Sequence, residues 1–197
     1  MKKLLASLIA GAIFPSVSFA FEGFSAGANL NFANAATELT VSNIKYSQGG
    51  PNSQFASAQA AYGFATGKDW ILGVGLGYGL GDAKSGEITA SGTGYNLKAK
   101  NIWNAYLEPG VKVNPTTLAY GKVAYSGMKG VLTLTSGSSD TEKFNGWGYG
   151  AGVRVLTSST MYWQVEFLQT NYDSKTANGV KAKPSVTVGT IGFGLKF

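Results

Sequence analysis

Residues 70–82 read Trp70-Ile71-Leu72-Gly73-Val74-Gly75-Leu76-Gly77-Tyr78-Gly79-Leu80-Gly81-Asp82, with glycine at every second position from 73 to 81. A phosphate-cradling loop needs glycines at a turn that opens a helix. No helix pattern follows here, and the residues between the glycines are large and apolar. Period two is the mark of a strand, whose side chains alternate between faces. Trp70, Leu72, Val74, Leu76, Tyr78 and Leu80 share a greasy face, and Ile71 with four glycines shares a nearly bare one.

Seven further segments read alike. They run near 24–32, 54–64, 96–111, 118–126, 146–155, 161–167 and 190–197. On 96–111, Leu97, Ala99, Trp103, Ala105 and Leu107 lie opposite Lys98, Lys100, Asn104, Tyr106 and Glu108. Trp147, Tyr149, Ala151, Val153 and Val155 oppose Gly146, Gly148, Gly150, Gly152 and Arg154. Short turns fall near 66–69, 114–117 and 157–160, with standard turn residues. Longer polar loops are expected at about 34–53, 81–95, 127–143 and 173–184. Eight strands with short turns at one end and long loops at the other outline a membrane-spanning antiparallel up-and-down β-barrel.

The chain of 197 residues suits one domain, with net charge +6, no cysteine and no histidine. Disulfides, zinc–thiolate sites and cysteine nucleophiles are excluded. So is the commonest general base. No cofactor, metal site or catalytic residue is expected. Met1-Lys2-Lys3, an apolar run from Leu4 to Phe14, and Ser18-Phe19-Ala20 make a signal peptide over 1–20, cleaved between Ala20 and Phe21, with the barrel domain over 21–197. Losing Lys2 and Lys3 lowers the net charge from +6 to +4. The remainder is spread thinly, which argues against a nucleic-acid partner. No later apolar run is long enough for a membrane helix, so an exported membrane protein must be a closed barrel.

A soluble barrel would turn its apolar face inward. Three features oppose that. The non-apolar face is glycine-rich and poor in charge, unlike a water-exposed surface. All four tryptophans, Trp70, Trp103, Trp147 and Trp163, lie on the apolar face. Trp163 and Trp147 differ by about eight residues in height, about 20 Å at ~3.3 Å per residue and ~40° tilt, close to a lipid-facing band of ~25 Å between aromatic girdles. Finally, Ile191, Phe193, Leu195 and Phe197 alternate to the chain end. This resembles the terminal signal of outer-membrane proteins, and the resemblance implies the barrel assembly machinery as a partner.

Together these features resemble the small eight-stranded outer-membrane family of the OmpA transmembrane domain, OmpX and the opacity proteins. The segment WNAYLEPGVKVNPTTLAYGKVAYSG, Trp103 to Gly127, is most similar to its porin-like and opacity-like members. The resemblance implies a Gram-negative outer-membrane location, a monomer, and lipid and lipopolysaccharide as surroundings. The barrel enzymes similar to this fold, which transfer palmitate, deacylate lipid or cleave protein, rely on a catalytic histidine. The expectation is therefore non-enzymatic.

Parity places Glu108, Lys122, Arg154 and Glu166 inward, about six or seven residues from their turns, in one layer near mid-barrel. Glu108 faces Lys122 across one turn, and Arg154 lies opposite or diagonal to Glu166 across the next. An unpaired buried charge costs several kcal/mol, so pairing is expected. The layer either plugs and orders the lumen or forms a gate that exchanges partners to open a narrow path for small solutes. Tyr106, Tyr120, Arg154 and Tyr162 are expected to fill the space the glycines leave. Lys98 and Lys100 are expected to point inward near the outer mouth. Two roles remain: a structural or surface-binding barrel acting through its external loops, and the narrow channel.

Overall fold

The computed structural model describes residues 21–41, 44–90, 93–134, 139–177 and 180–197. The expected signal segment, residues 1–20, lies outside them. The strands are β1 (Gly23–Val41), β2 (Ile44–Ala65), β3 (Trp70–Gly79), β4 (Ala83–Ala90), β5 (Thr93–Asn114), β6 (Thr117–Leu134), β7 (Ser139–Leu156), β8 (Met161–Tyr172), β9 (Lys175–Ala177) and β10 (Val180–Lys196). The hydrogen-bonded ring runs β1-β2-β3-β5-β6-β7-β8-β10 and closes through an antiparallel β1–β10 ladder, from Ser25↔Lys196 to Val41↔Val180. Eight strands thus form the barrel. The short β4 and β9 add to β5 and β10 beyond the membrane-spanning part.

β8 shows which face is which. Tyr162, Gln164 and Glu166 are 1%, 2% and 7% exposed, while Trp163, Val165 and Phe167 are 52%, 62% and 56% exposed. Polar groups are sealed inside and large apolar groups cover the outer wall, the inverse of a soluble barrel. All four tryptophans lie on that wall. Trp70 and Trp163 sit at the short-turn end, where Trp163 meets Phe193 edge-on at 5.3 Å. Higher up, Trp103, Tyr125 and Trp147 form a chain of edge-on contacts at 6.0 and 5.2 Å. Ile191, Leu195 and Phe197 are exposed on the same wall, and Phe197 packs on Phe24 at 5.8 Å.

Two expectations fail. The segments read as long polar loops are largely strand: β1 and β2 stay paired to Val41↔Ile44, β5 and β6 to Tyr95↔Leu134, and β6 and β7 to Thr133↔Ser139. β2 and β5 each have 22 residues, against roughly 9–11 needed to span a bilayer. Their polar composition marks contact with water. Their β-branched residues, such as Thr37, Thr40 and Val131, suit continuation of the ladders past the membrane.

The second failure is Lys98 and Lys100, which face outward. β5 carries a bulge between Lys100 and Trp103, where Asn101 adopts φ 49°. One extra residue reverses the parity of everything above it. Ala99 is therefore buried in the lumen, 6% exposed, and not on the greasy face. Lys98 is exposed, and Lys100 reaches Asp82 at 3.6 Å across the outer surface.

The inside-out arrangement sets a cost on misplaced charge. Val165, beside the charge layer but facing lipid, is the probe: Val165→Arg should lower stability by about 2–4 kcal/mol in urea unfolding from bilayers, while Asn171→Arg, higher on the same face, should cost much less.

Candidate functional site

The lumen is organised by glycines. Gly75 is registered opposite Tyr106, Gly152 opposite Tyr120, and Gly194 opposite Tyr162. In each pair the tyrosine ring lies over the bare glycine, so close that an added Cβ would collide with its phenol carbon and oxygen. This is how the interior of a narrow barrel holds three large rings. The flattened rings flank the two buried cations. Lys122 Nζ stands 3.8 Å from the centroid of Tyr106, and the Arg154 guanidinium lies 5.1 Å from Tyr120 and 4.9 Å from Tyr162. Ring faces attract such cations, most strongly where water is excluded.

The four charges meet as parity expected. Lys122 Nζ donates to Glu166 Oε2 at 2.7 Å and is ion-paired with Glu108 Oε1 at 3.3 Å. Arg154 Nη2 donates to Glu108 Oε2 at 3.1 Å. Tyr120 OH donates to the same Glu166 oxygen at 3.1 Å. Two acids and two bases form a continuous chain, Glu166–Lys122–Glu108–Arg154, in which neither end charge is left alone. All four residues are buried.

Arg154 and Glu166 lie one diagonal step apart, as expected, but Arg154 makes its contacts elsewhere. The ladder sets Arg154 opposite Gln164 and Gly152 opposite Glu166. Arg154 consequently donates Nε and Nη2 to Gln164 Oε1, at 3.1 and 2.9 Å, and spans the lumen to Glu108. Sequence reading missed this neutral half of the layer. Gln59 and Gln164 exchange amide hydrogen bonds at 3.0 and 3.2 Å. Asn29 donates to Gln59, and Gln164 Nε2 donates to Asn29 Oδ1 at 3.2 Å. The available signal was their parity: Asn29, Gln59 and Gln164 sit on the same inward faces as the glycines and charges.

Below this belt, toward the short turns, Phe21, Ile71, Leu118 and Tyr120 form a buried apolar cluster with Leu156 against it. Above it lies a cavity of ≈ 90 Å³. Its floor includes Lys122, Glu166 and Tyr106, and its upper wall includes Ala83, Ala99, Met128 and Val186. Tyr106 OH and Asn104 Oδ1 have no hydrogen-bond partner among the described residues. No cluster of metal-ligating groups occurs among the described residues either. The remaining site residues named from sequence, Trp70, Trp103, Trp147, Trp163, Ile191, Phe193, Leu195 and Phe197, stay outside this lumen, on the opposite wall.

A family model described as outer membrane protein beta-barrel domain matches residues 4–197. Several solved structures share the fold. Ail, the attachment invasion locus protein of Yersinia pestis, in complex with the heparin analogue sucrose octasulfate, is 15% identical, with a TM-score of 0.50 over 89% of this chain and 99% of that one. OprG from Pseudomonas aeruginosa is 12% identical, with a TM-score of 0.54 over 92% and 99%. The outer membrane protease OmpT from Escherichia coli is 9% identical, with a TM-score of 0.54 over 93% and 99%. At such identities the likeness speaks for the fold alone. No curated protein sequence matches this chain.

Because Glu108 serves both cations, its neutralisation leaves the layer with one excess buried positive charge. Glu108→Gln should cost about 3–5 kcal/mol in urea unfolding. The charge-balanced double variant Glu108→Gln/Lys122→Gln should recover part of that loss. Gly75→Ala should cost about 1–3 kcal/mol by displacing the Tyr106 ring.

Proposed function

Because the chain belongs to the outer membrane protein beta-barrel domain family, we propose that it serves at the bacterial surface as a closed, non-enzymatic barrel that displays paired strands for binding. The carrying observation is the contrast between its two halves. The lumen is crossed by the charge belt and again by the Phe21 cluster. The strands meanwhile continue well past the upper aromatic tier. Beyond the membrane they divide into two sheets among the described residues: β9, β10, β1 and β2 on one side, β4, β5, β6 and β7 on the other. Among the described residues, β2 above Ser57 is laddered with β1 alone, apart from Leu80 N donating to Ala56 O, and β7 above Gly146 with β6 alone, apart from Asp173 N donating to Asn145 O. Unpaired strand edges of this kind accept an added strand through their backbone groups.

The absence of histidine from the sequence supports the non-enzymatic reading, since a neutral-pH general base of that kind is unavailable. The complex of Ail with a heparin analogue supports surface binding as a use of this fold. We read the two tryptophan tiers as interface girdles, the terminal Ile191-to-Phe197 alternation as the assembly signal, and the protein as a monomer.

Cleavage between Ala20 and Phe21 has a structural argument as well. Phe21 has φ 71° and a buried ring in the lower cluster. A bulky side chain is strained there because its Cβ crowds the preceding carbonyl oxygen. Cutting the Ala20–Phe21 bond removes that carbonyl and frees the new terminus while leaving the ring packed.

The narrow gated channel keeps one observation in its favour, the cavity whose floor is Lys122 and Glu166. Planar-bilayer recording separates the readings. The closed barrel should give no stable conductance steps, whereas steps that change in Glu166→Gln would favour the gate. Cells carrying the barrel with residues 84–97 replaced by a short turn should bind surfaces less than cells with the full chain, at equal folded amounts. The mass of the exported protein should correspond to a chain beginning at Phe21.

A further inference from the structure

Three lysines stand side by side on the outer wall. Lys100 of β5 is registered opposite Lys129 of β6, and Lys129 opposite Lys143 of β7. Lys129 and Lys143 are exposed, and the Lys100 side chain is 45% exposed. Exposed Lys98 lies two residues above Lys100 on the same face, and Lys84 of β4 is registered opposite it. The row exists because of the Asn101 bulge: without it Lys100 would turn into the lumen.

Directly opposed like charges on adjacent strands repel one another at Cβ separations of about 4.5–5.5 Å. A row of three has no reason to form in isolation and is stabilised by anions. The acid ion-paired with it among the described residues is Asp82, at 3.6 Å from Lys100. Glu142 is exposed, but parity turns it to the other face of β7 from Lys143.

The row's height identifies the anion. Lys129 is four residues above Tyr125, and Lys143 four residues above Trp147, on the wall where Trp103, Tyr125 and Trp147 stack edge to edge. Four residues at ~3.3 Å and ~40° tilt raise the ammonium groups about 10 Å above that aromatic tier. Aromatic tiers mark the level of the headgroups. Lysines just above them, pointing sideways from the wall that β5, β6 and β7 form, face the polar heads of neighbouring lipids.

We propose that Lys100, Lys129 and Lys143, with Lys98 beside them, form a binding site for the phosphate groups of a phosphorylated glycolipid of the outer leaflet, whose acyl chains lie along the Trp103–Tyr125–Trp147 surface. The proposal rests on the outer-membrane barrel alone and is independent of strand-edge binding and of the lumen's closure. A soluble sulfated glycan is the competing occupant. It would use the same charges but needs no aromatic surface beneath them.

The test titrates the detergent-solubilised full chain with bis-phosphorylated lipid A, with dephosphorylated lipid A, and with heparin oligosaccharide, each read by native mass spectrometry. Wild type should retain the phosphorylated lipid about tenfold or more tightly than the dephosphorylated one. Lys100→Gln/Lys129→Gln/Lys143→Gln should lose that difference, and the corresponding triple arginine variant should keep it. Lys175→Gln/Lys183→Gln, at the same end of the barrel, should leave it within about twofold. Folding of each variant is checked by its heat-dependent gel mobility, and the arginine variant tests the charge even if the glutamine variant misfolds. Equal retention of the two lipids by wild type overturns the proposal. So does retention by the folded glutamine variant, or loss of heparin binding alone.

Discussion

Inside hydrocarbon a backbone N–H or C=O without a partner costs several kcal/mol, and no water is present to supply one. The ladder between β1 and β10 meets this requirement for the whole chain, because it removes the two edges that eight strands would otherwise leave. Closure in turn forces each side chain to choose between lipid and lumen. The greasy face of every strand then belongs outside, and whatever is small, polar or charged must be accommodated within.

The accommodation is hierarchical. Glycine at 75, 152 and 194 removes wall volume, and tyrosines at 106, 120 and 162 occupy the space. Their rings flank Lys122 and Arg154. The held cations pair with Glu108 and Glu166 and leave no net charge in the layer. The amides of Asn29, Gln59 and Gln164 complete the crossing with hydrogen bonds. Glycine, which is unfavourable in a strand on its own account, is here the residue that makes room for the ion pairs.

Much of this was legible because strand parity is strict. The alternation in Trp70–Leu80 and in Met161–Phe167 told which side chains share a face, and counting from the turns placed Glu108, Lys122, Arg154 and Glu166 at one height. Parity gives a face but not a partner, which is why Arg154 was not foreseen to reach Gln164. Counting also fails wherever a residue is inserted. Asn101 has no marker in the sequence that distinguishes it from other strand asparagines, yet its left-handed φ exchanged the faces of Lys98, Ala99 and Lys100. The long segments above the membrane were misread as loops because polarity reports water contact, whereas strand continuation there depends on register with neighbours far away in the chain.

The distribution of the charge layer has a consequence for how the barrel is built. Glu108, Lys122, Arg154 and Glu166 occur one each on β5, β6, β7 and β8. None of these strands can neutralise its own ion; β5 with β6 and β7 with β8 are each balanced, and the Glu166–Lys122 and Arg154–Glu108 pairs join the two hairpins. Crossing the bilayer strand by strand would expose a lone charge whenever a hairpin is half inserted. Adding whole hairpins avoids a net charge, and the ionic layer is complete only when β5–β6 meets β7–β8 through Glu166–Lys122 and Arg154–Glu108.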